Sequence, residues 1–213
     1  MEDFMKNVYI SDHPLVVHKV THLCDVTTGY KEFNEITNEI AMILGAEALK
    51  DVKMKSVEIQ APLSKFESNV IDTQVIVAPI LRAGVGMVDG IRKLYPKTQV
   101  GHIGLYRDEE TLLPQKYYFK MPPKKDDSVV LIVDPALATG GSAEAAIQFV
   151  KDAGFNNIKF LCLIASPTGI KKVHDKHPEV PIYVAKYADA PLNEKGYIMT
   201  AFGDAGDRVF GTY

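Results

Sequence analysis

The sequence predicts one α/β domain built on a doubly wound, mostly parallel sheet. Three apolar runs, at residues 74–81, 128–134 and 160–165, have the composition of strands that are covered on both faces. Helix signals lie between these runs, and strands that alternate with helices favour parallel pairing. The chain has 213 residues, which fits a single domain over residues 1–213.

A long helix and a half-exposed strand are expected before the central run. Residues 31–50 carry apolar side chains at helical spacing with glutamates between them. The apolar positions are Phe33, Ile36, Ile40, Ile43 and Leu44. Residues 56–61 alternate between apolar and polar side chains, which is typical of a strand with one exposed face. The run at 74–81 turns through glycines into a helix that ends near Pro96.

A strand at 99–106 is followed by a polar and aromatic segment at about residues 107–127. We interpret this segment as a projecting β-hairpin flap within the same domain. The buried strand at 128–134 then leads into a helix that begins near Gly141 and stops at Gly154.

The remaining elements complete the alternation of strands and helices. A strand at 160–165, a helix around 168–176 and a strand at 181–185 follow one another. The last residues, 197–213, are glycine-rich and are predicted to form an irregular loop that closes over a ligand.

Composition and charge exclude several classes of protein. Hydrophobic residues make up 46% and charged residues 24% of the chain, which rules out a disordered protein. A net charge of −3 argues against nucleic acid as a partner, because binding of phosphate backbones needs a basic face. The apolar runs are far shorter than the roughly 20 residues that span a bilayer, so no membrane partner is expected. The amino terminus resembles no secretory signal, and we expect a cytoplasmic protein.

The residues from 130 to 143 form the most informative motif. A buried strand ends at Asp134, a loop of small residues follows, and a helix begins at Gly141. Small residues let a backbone approach a phosphate closely, and the first N–H groups of a helix attract an anion. Thr139 and Ser142 add hydroxyl donors, and Asp134 is placed to meet ribose hydroxyls or a metal-bound water. An ordinary helix start after a strand is the simpler alternative. No lysine follows the glycines, so this is not a Walker loop.

This motif resembles the phosphoribosyl-pyrophosphate loop of the type I phosphoribosyltransferases. Asp134-Pro135 stands where most of that class has two consecutive acidic residues, and the whole stretch is similar to that of the uracil phosphoribosyltransferases. The resemblance implies a type I phosphoribosyltransferase fold. It also implies which residues contact phosphoribosyl pyrophosphate. These contacts are Arg82, Arg107, Asp134, Pro135, Ala136, Leu137, Ala138, Thr139, Gly140, Gly141, Ser142 and Asp204.

Two further stretches resemble the same family and contain arginines. Residues 79–87 match its Pro-Ile-Leu-Arg-Ala-Gly-x-Gly-Met motif, in which Arg82 would chelate pyrophosphate oxygens. The glycines of this stretch imitate a dinucleotide fingerprint, but the third glycine comes one residue late. Residues 106–111 match Tyr-Arg-Asn-Glu-Glu-Thr except at Asp108, and Arg107 would be a second pyrophosphate contact at the base of the flap. We read the acidic residues beside it as solvated charge.

The glycine-rich stretch at about 197–212 resembles the base-binding loop of the family. The resemblance implies that Ile198, Gly203, Asp204 and Ala205 contact uracil, largely through backbone groups, and that Asp204 also reaches the phosphoribosyl substrate. Thr200-Ala201-Phe202 departs from the usual Pro-Gly-Leu, so the base specificity is less firmly predicted than the phosphoribosyl site.

The resemblance implies that uracil and 5-phosphoribosyl 1-pyrophosphate react to give UMP and pyrophosphate, in pyrimidine salvage. Arg82, Arg107 and Asp134 are the predicted catalytic residues, and Mg²⁺ is expected to arrive on the pyrophosphate with no direct protein ligand. A homodimer or higher homo-oligomer is expected, with GTP as a possible activator.

Two alternatives remain open from the sequence. One is a phosphoribosyltransferase for another base, and the other is a non-catalytic, nucleotide-sensing RNA-binding regulator of the same fold. Elsewhere, Cys24 and Cys162 lack metal-ligand spacing. His18 and His22 lie four residues apart without a third ligand, which favours a structural or interface role.

Overall fold

The computed structural model describes residues 3–107 and 114–213. The strands in this part of the chain are β1 (Val8–Ile10), β2 (Met54–Gln60), β3 (Lys65–Ile71), β4 (Val75–Leu81), β5 (Gln99–Val100), β6 (His102–Arg107), β7 (Pro114–Lys120), β8 (Val129–Val133), β9 (Ala136–Leu137), β10 (Asn157–Ala165) and β11 (Ile182–Tyr187). The α-helices are α1 (Pro14–Cys24), α2 (Tyr30–Ala48), α3 (Val88–Leu94), α4 (Gly141–Asp152), α5 (Pro167–Lys176) and α6 (Ala205–Phe210).

The central sheet has the strand order β1-β11-β10-β8-β4-β6-β7. The short strands β5 and β9 pair with β4 and β10. Neighbours run parallel except for β6 and β7, which form an antiparallel hairpin. The predicted α/β fold with a mostly parallel sheet is therefore confirmed.

Alternate residues of β8 point into two separate cores. Val129, Leu131 and Val133 pack on the face that α1, α2, α3 and α6 cover. Val130 and Ile132 pack on the opposite face, beneath α4 and α5. Every residue of β8 is buried, because a helix layer lies on each side of the sheet. This packing explains why the central strands read as continuous apolar runs in the sequence.

The predicted hairpin at about 107–127 corresponds in part to β6 and β7. His102 pairs with Lys120 and Arg107 with Pro114, while residues 108–113 lie outside the described part of the chain. The predicted single strand at 99–106 is divided into β5 and β6.

The expectation of an irregular carboxyl terminus was wrong in one respect, since residues 205–210 form the short helix α6. Asp204 caps this helix by accepting the N–H of Asp207, and Gly211 ends it in a left-handed conformation with φ +66°. Six residues are too few to show a helical periodicity, which is why the pattern gave no signal.

Two elements lie outside the predicted layers. The strand predicted at 56–61 is β2, which among the described strands pairs only with β3, in a separate two-stranded ribbon. None of the described helices is long and apolar enough to cross a membrane.

Candidate active site

Two predicted site residues, Arg82 and Asp134, follow neighbouring strands at one edge of the sheet. β4 and β8 run parallel with Pro79 opposite Val133, so the turns after both strands emerge side by side. A Cβ on Gly84 would overlap the Val133 carbonyl oxygen, so the turn after β4 packs tightly against the end of β8. Ligands bind at this carboxyl edge in open α/β sheets.

The loop between β8 and α4 is held in place by the start of α5. The Ser166 hydroxyl donates to the Ala138 carbonyl oxygen at 2.6 Å, and the Ser166 N–H donates to that of Leu137 at 2.9 Å. A Cβ on Gly169 would lie 2.5 Å from the Leu137 carbonyl oxygen, so only glycine allows this approach. The loop is thus fixed before any ligand binds.

The start of α4 offers backbone N–H groups to an anion. Gly140 precedes the helix with φ +79°, and none of the side chains that the structure describes caps the helix start. The first N–H groups of a helix lack intrahelical partners, and the helix dipole favours negative charge there. Thr139 is half-buried, and its hydroxyl oxygen would lie 3.9 Å from a Cβ on Gly141, while Ser142 is exposed in the first turn of the helix. The arrangement suits a phosphate group.

Asp134 is a half-buried carboxylate at the beginning of this loop. Burial raises the pKa of its carboxyl group to about 7, and the N–H of Ala136 offsets part of that rise. A ligand that donates hydrogen bonds or carries a cation would stabilise the charged form. The position therefore favours a polar ligand such as a ribose.

We expect Asp134→Asn to stabilise the free protein at alkaline pH and to have little effect at acid pH. Between about pH 4 and pH 7 the folded protein holds a proton that the unfolded chain has released, so the free energy of unfolding falls as the pH rises. Asparagine does not titrate and escapes this loss. The Tm advantage of the variant should be roughly 4–8 °C larger at pH 8 than at pH 5. Thermal melts at both pH values measure it, and an equal difference at both would contradict the raised pKa.

Arg82 lies against the carboxyl-terminal segment of the chain. Its guanidinium Nη2 is 3.2 Å from Asp207 Oδ1, and its side chain remains 59% exposed. The Thr212 hydroxyl donates to the same Asp207 oxygen at 2.6 Å, and this bond, together with Arg82, lowers the pKa of Asp207. A Cβ on Gly206 would be 3.4 Å from Arg82 Nη2. One nitrogen of the guanidinium thus contacts α6, while the side chain as a whole stays more than half exposed.

The hairpin and α5 both reach the start of α4. Arg107 ends β6, but its side chain and residues 108–113 lie outside the described part of the chain. A Cβ on Gly141 would lie 3.7 Å from Pro114 Cγ, at the beginning of β7, and 3.7 Å from Lys172 Nζ. The structure therefore adds Lys172, which sequence reasoning missed, to the cations near the loop.

The carboxyl-terminal segment contacts both the loop between β8 and α4 and the side chain of Arg82. A Cβ on Gly196 would lie 3.1 Å from Thr139 Cγ2, so the segment packs directly on the loop. The Tyr197 hydroxyl donates to Asp204 Oδ2 at 2.7 Å, and Asp204 Oδ1 accepts the Asp207 N–H at 3.0 Å. Tyr197 is a further residue that the sequence analysis did not single out.

The four residues predicted to bind a base lie around one turn of this segment. Ile198 and Ala205 are buried, Asp204 is half-buried and Gly203 is exposed with φ +75°. No described residue comes within 4 Å of a Cβ built on Gly203, so this side of the turn is open in the part of the chain that the structure describes. The turn thus leaves the backbone of Gly203 open to a ligand.

Phe202, the bulkiest of the three departures from the family pattern, points into the core. Its side chain is 3% exposed and meets the Phe33 ring edge to face, with ring centroids 5.6 Å apart. The larger aromatic side chain is therefore accommodated by α2 and does not occupy the open side of the turn.

The described residues contain no group of three or more His, Cys, Asp or Glu side chains that could hold a metal ion. His18 and His22 contact each other edge to face, with ring centroids 4.6 Å apart on α1. Cys162 is fully buried in β10, and burial raises the pKa of its thiol. Both histidines are exposed, whereas Cys162 is part of the core.

A family model described as uracil phosphoribosyltransferase matches residues 10–212. The chain is 51% identical over 209 residues to the uracil phosphoribosyltransferase of Bacillus licheniformis. The match covers 98% of this chain and 100% of the relative. The chain is 52% identical over 209 residues to the uracil phosphoribosyltransferase of Geobacillus kaustophilus, with the same coverage.

Two solved structures resemble the fold. A protein from Aquifex aeolicus has a TM-score of 0.89 and 34% identity, and the match covers 95% of this chain and 97% of that one. Adenine phosphoribosyl transferase from Trypanosoma brucei, in complex with AMP, pyrophosphate and ribose-5-phosphate, has a TM-score of 0.57 and 15% identity. That match covers 93% of this chain and 89% of the other, and it supports the fold alone.

Proposed function

Because the chain belongs to the uracil phosphoribosyltransferase family, we propose that it transfers the phosphoribosyl group of 5-phosphoribosyl 1-pyrophosphate to uracil. The products are UMP and pyrophosphate, and the reaction recovers a free pyrimidine base. The observation that carries the proposal is the start of α4, which no described side chain caps and which ends the loop that begins at Asp134. Gly196 of the carboxyl-terminal segment packs against Thr139 of this loop.

The reaction replaces pyrophosphate by a ring nitrogen of the base at the anomeric carbon of ribose. Positive charge develops on the ribose as the bond to pyrophosphate weakens, and negative charge builds on the leaving group. Catalysis therefore needs charge stabilisation and positioning more than a protein nucleophile. Arg82 and Arg107 are proposed to stabilise the departing pyrophosphate.

The loop from Asp134 to Ser142 is proposed to hold the 5′-phosphate and the ribose. The N–H groups at the start of α4 and the hydroxyls of Thr139 and Ser142 would bind phosphate oxygens. The Asp134 carboxylate would accept hydrogen bonds from ribose hydroxyls. The bonds from Ser166 support this proposal, because they hold the loop in position.

Magnesium enters the proposal as part of the substrate, carried by the pyrophosphate. Mg²⁺ retains several waters and is usually bound through one or two carboxylates together with substrate phosphates. The described chain offers no protein cluster for the ion, and the single carboxylate of Asp134 could meet a metal-bound water. This donor set fits a substrate-borne ion better than a resident one.

Uracil is proposed to bind against Ile198, Gly203, Asp204 and Ala205. A pyrimidine presents both donors and acceptors at its edge, and a backbone turn can match them with N–H and carbonyl groups. The open space beside Gly203 and the buried position of Phe202 support this placement.

We also propose a homodimer or higher homo-oligomer. The ribbon of β2 and β3 pairs with no other strand of the described sheet, and such a ribbon is marginally stable alone. Its exposed apolar side chains are Met54, Ile59, Leu63, Phe66 and Val70. A second copy would cover them. Activation by GTP and a cytoplasmic location rest on the family resemblance and on the sequence.

The proposal is tested by following release of pyrophosphate from phosphoribosyl pyrophosphate in the presence and absence of uracil. Release should require uracil, and the rate should follow the concentration of the magnesium complex of the substrate. Calorimetry with Mg²⁺ alone should show only weak binding to the protein. Release of pyrophosphate at the same rate with and without uracil would contradict the scheme, and so would tight binding of Mg²⁺ to the free protein.

A further inference from the structure

Arg208, on α6, makes four hydrogen bonds to backbone carbonyl oxygens from three parts of the chain. Its Nη1 donates to Leu23 at 2.9 Å and to Phe202 at 3.3 Å. Its Nη2 donates to Asp25 at 2.8 Å and to Thr28 at 2.9 Å. The guanidinium therefore joins the end of α1, the turn before α2 and the carboxyl-terminal turn.

An aromatic layer fixes the plane of the same guanidinium. The central carbon of Arg208 lies 4.5 Å from the centroid of the Phe33 ring, which is a cation–π contact. The Phe202 ring meets Phe33 at its edge, with centroids 5.6 Å apart. The ring of Phe202 thus packs on Phe33, and the Phe202 carbonyl oxygen accepts a hydrogen bond from Arg208, which itself stacks on Phe33.

The bond to the Phe202 carbonyl acts on the residue immediately before three of the four proposed base contacts, Gly203, Asp204 and Ala205. Gly203 follows with φ +75°. Because glycine has no Cβ to restrict its backbone, the conformation of this residue depends on how its neighbours are held. Asp204 comes next and caps α6, on which Arg208 itself lies. The turn is therefore held at its first residue by Arg208 and at its last by the helix that carries Arg208.

We propose that Arg208 is a positioning residue for uracil, which holds the Phe202–Asp204 turn in the conformation that binds the base. The inference rests on the proposed function. Arg208 acts through the turn, because its guanidinium donors are directed to backbone carbonyl groups. Arginine suits the role, since its planar fork supplies parallel donors that the single ammonium of lysine cannot replace.

The test compares Arg208→Lys with the wild type under steady-state conditions, below the Tm of both proteins. Lysine keeps the charge but loses the fork. The KM for uracil should rise about 10- to 100-fold, because small displacements of binding groups are costly, while the KM for phosphoribosyl pyrophosphate stays within about twofold. Arg92→Lys, at an exposed position on α3, is the matched control and should change neither constant.

A second variant covers the case in which Arg208→Lys does not fold. Phe33→Leu removes the ring beneath the guanidinium but keeps all four carbonyl acceptors, and it should raise the KM for uracil about two- to fivefold. Equal rises in both KM values, or a lower Tm with both KM values unchanged, would show a merely structural role and overturn the inference. A wild type that does not use uracil would overturn the proposed function itself, and this inference with it.

Discussion

Replacement of Arg82 by alanine should lower kcat/KM by about 10²–10³-fold, as the loss of one transition-state donor usually does. Arg82 lies at the edge where the site faces solvent, and its guanidinium is proposed to stabilise charge that builds on the leaving pyrophosphate. The side chain is more than half exposed, so the free energy of unfolding should change little. Steady-state kinetics and denaturant melts of the variant measure both quantities.

Two controls separate this role from the ion pair that Arg82 makes with Asp207. Asp207→Asn breaks the ion pair but keeps the guanidinium, so it should cost less than about tenfold in kcat/KM. Arg92→Ala removes an exposed positive charge away from the site and should leave the kinetics unchanged. If Asp207→Asn reproduced the full loss, Arg82 would act by holding the carboxyl-terminal segment instead.

Replacement of Gly140 by alanine should damage both stability and substrate binding. The residue has φ +79°, which costs an alanine about 1–2 kcal/mol, and its new Cβ would lie 2.8 Å from the Gly169 carbonyl oxygen. Because this backbone oxygen belongs to the helix that supports the loop, the loop must shift. We expect a loss of about 2–4 kcal/mol in the free energy of unfolding. The KM for phosphoribosyl pyrophosphate should rise about 100-fold.

Gly154 provides the matched control for Gly140. It follows α4 with φ +89°, but a Cβ built on it would have no neighbour within 4 Å among residues 3–107 and 114–213. Gly154→Ala should therefore show the conformational cost of about 1–2 kcal/mol and normal kinetics. If the two variants behaved alike in urea melts and in KM, close packing of Gly140 against α5 would have no part in substrate binding.

The sheet and the loop between β8 and α4 were largely predictable, because the sequence patterns that indicate them are local. β4, β8 and β10 are buried on both faces and read as apolar runs, and the small residues that follow Asp134 mark a loop before a helix. The boundaries of α2 and α4 agree with the apolar periodicity and with Gly154 as a stop.

The residues that support the loop were not predictable from such local signals. Ser166 caps α5, and Gly169 and Lys172 belong to it. This helix meets the loop only because β8 and β10 lie side by side in the sheet. Ser166 looks like an ordinary helix cap in the sequence, and Lys172 like part of an exposed helix face. Their second role depends on contacts across about 30 residues of intervening chain.

The motif in the carboxyl-terminal segment was recognisable from the sequence, but its helix and its long-range hydrogen bonds were not predictable. Glycine at 196, 203, 206 and 211 suggested a loop, whereas the structure places α6 among these residues. The bonds of Arg208 reach carbonyl groups near residue 25, so no local pattern could reveal them. Phenylalanine at position 202, where the family usually has leucine, is explained by its packing against Phe33, which is distant in the sequence.

The central claim is best tested by measuring the nucleotides formed from phosphoribosyl pyrophosphate and magnesium with each of five bases. Uracil, cytosine, hypoxanthine, adenine and orotate would be supplied in parallel, and the products identified by chromatography. The account predicts UMP from uracil and no product from the other four. Turnover of another base with none from uracil would contradict the proposed base site, and no turnover with any base would contradict the catalytic role as a whole.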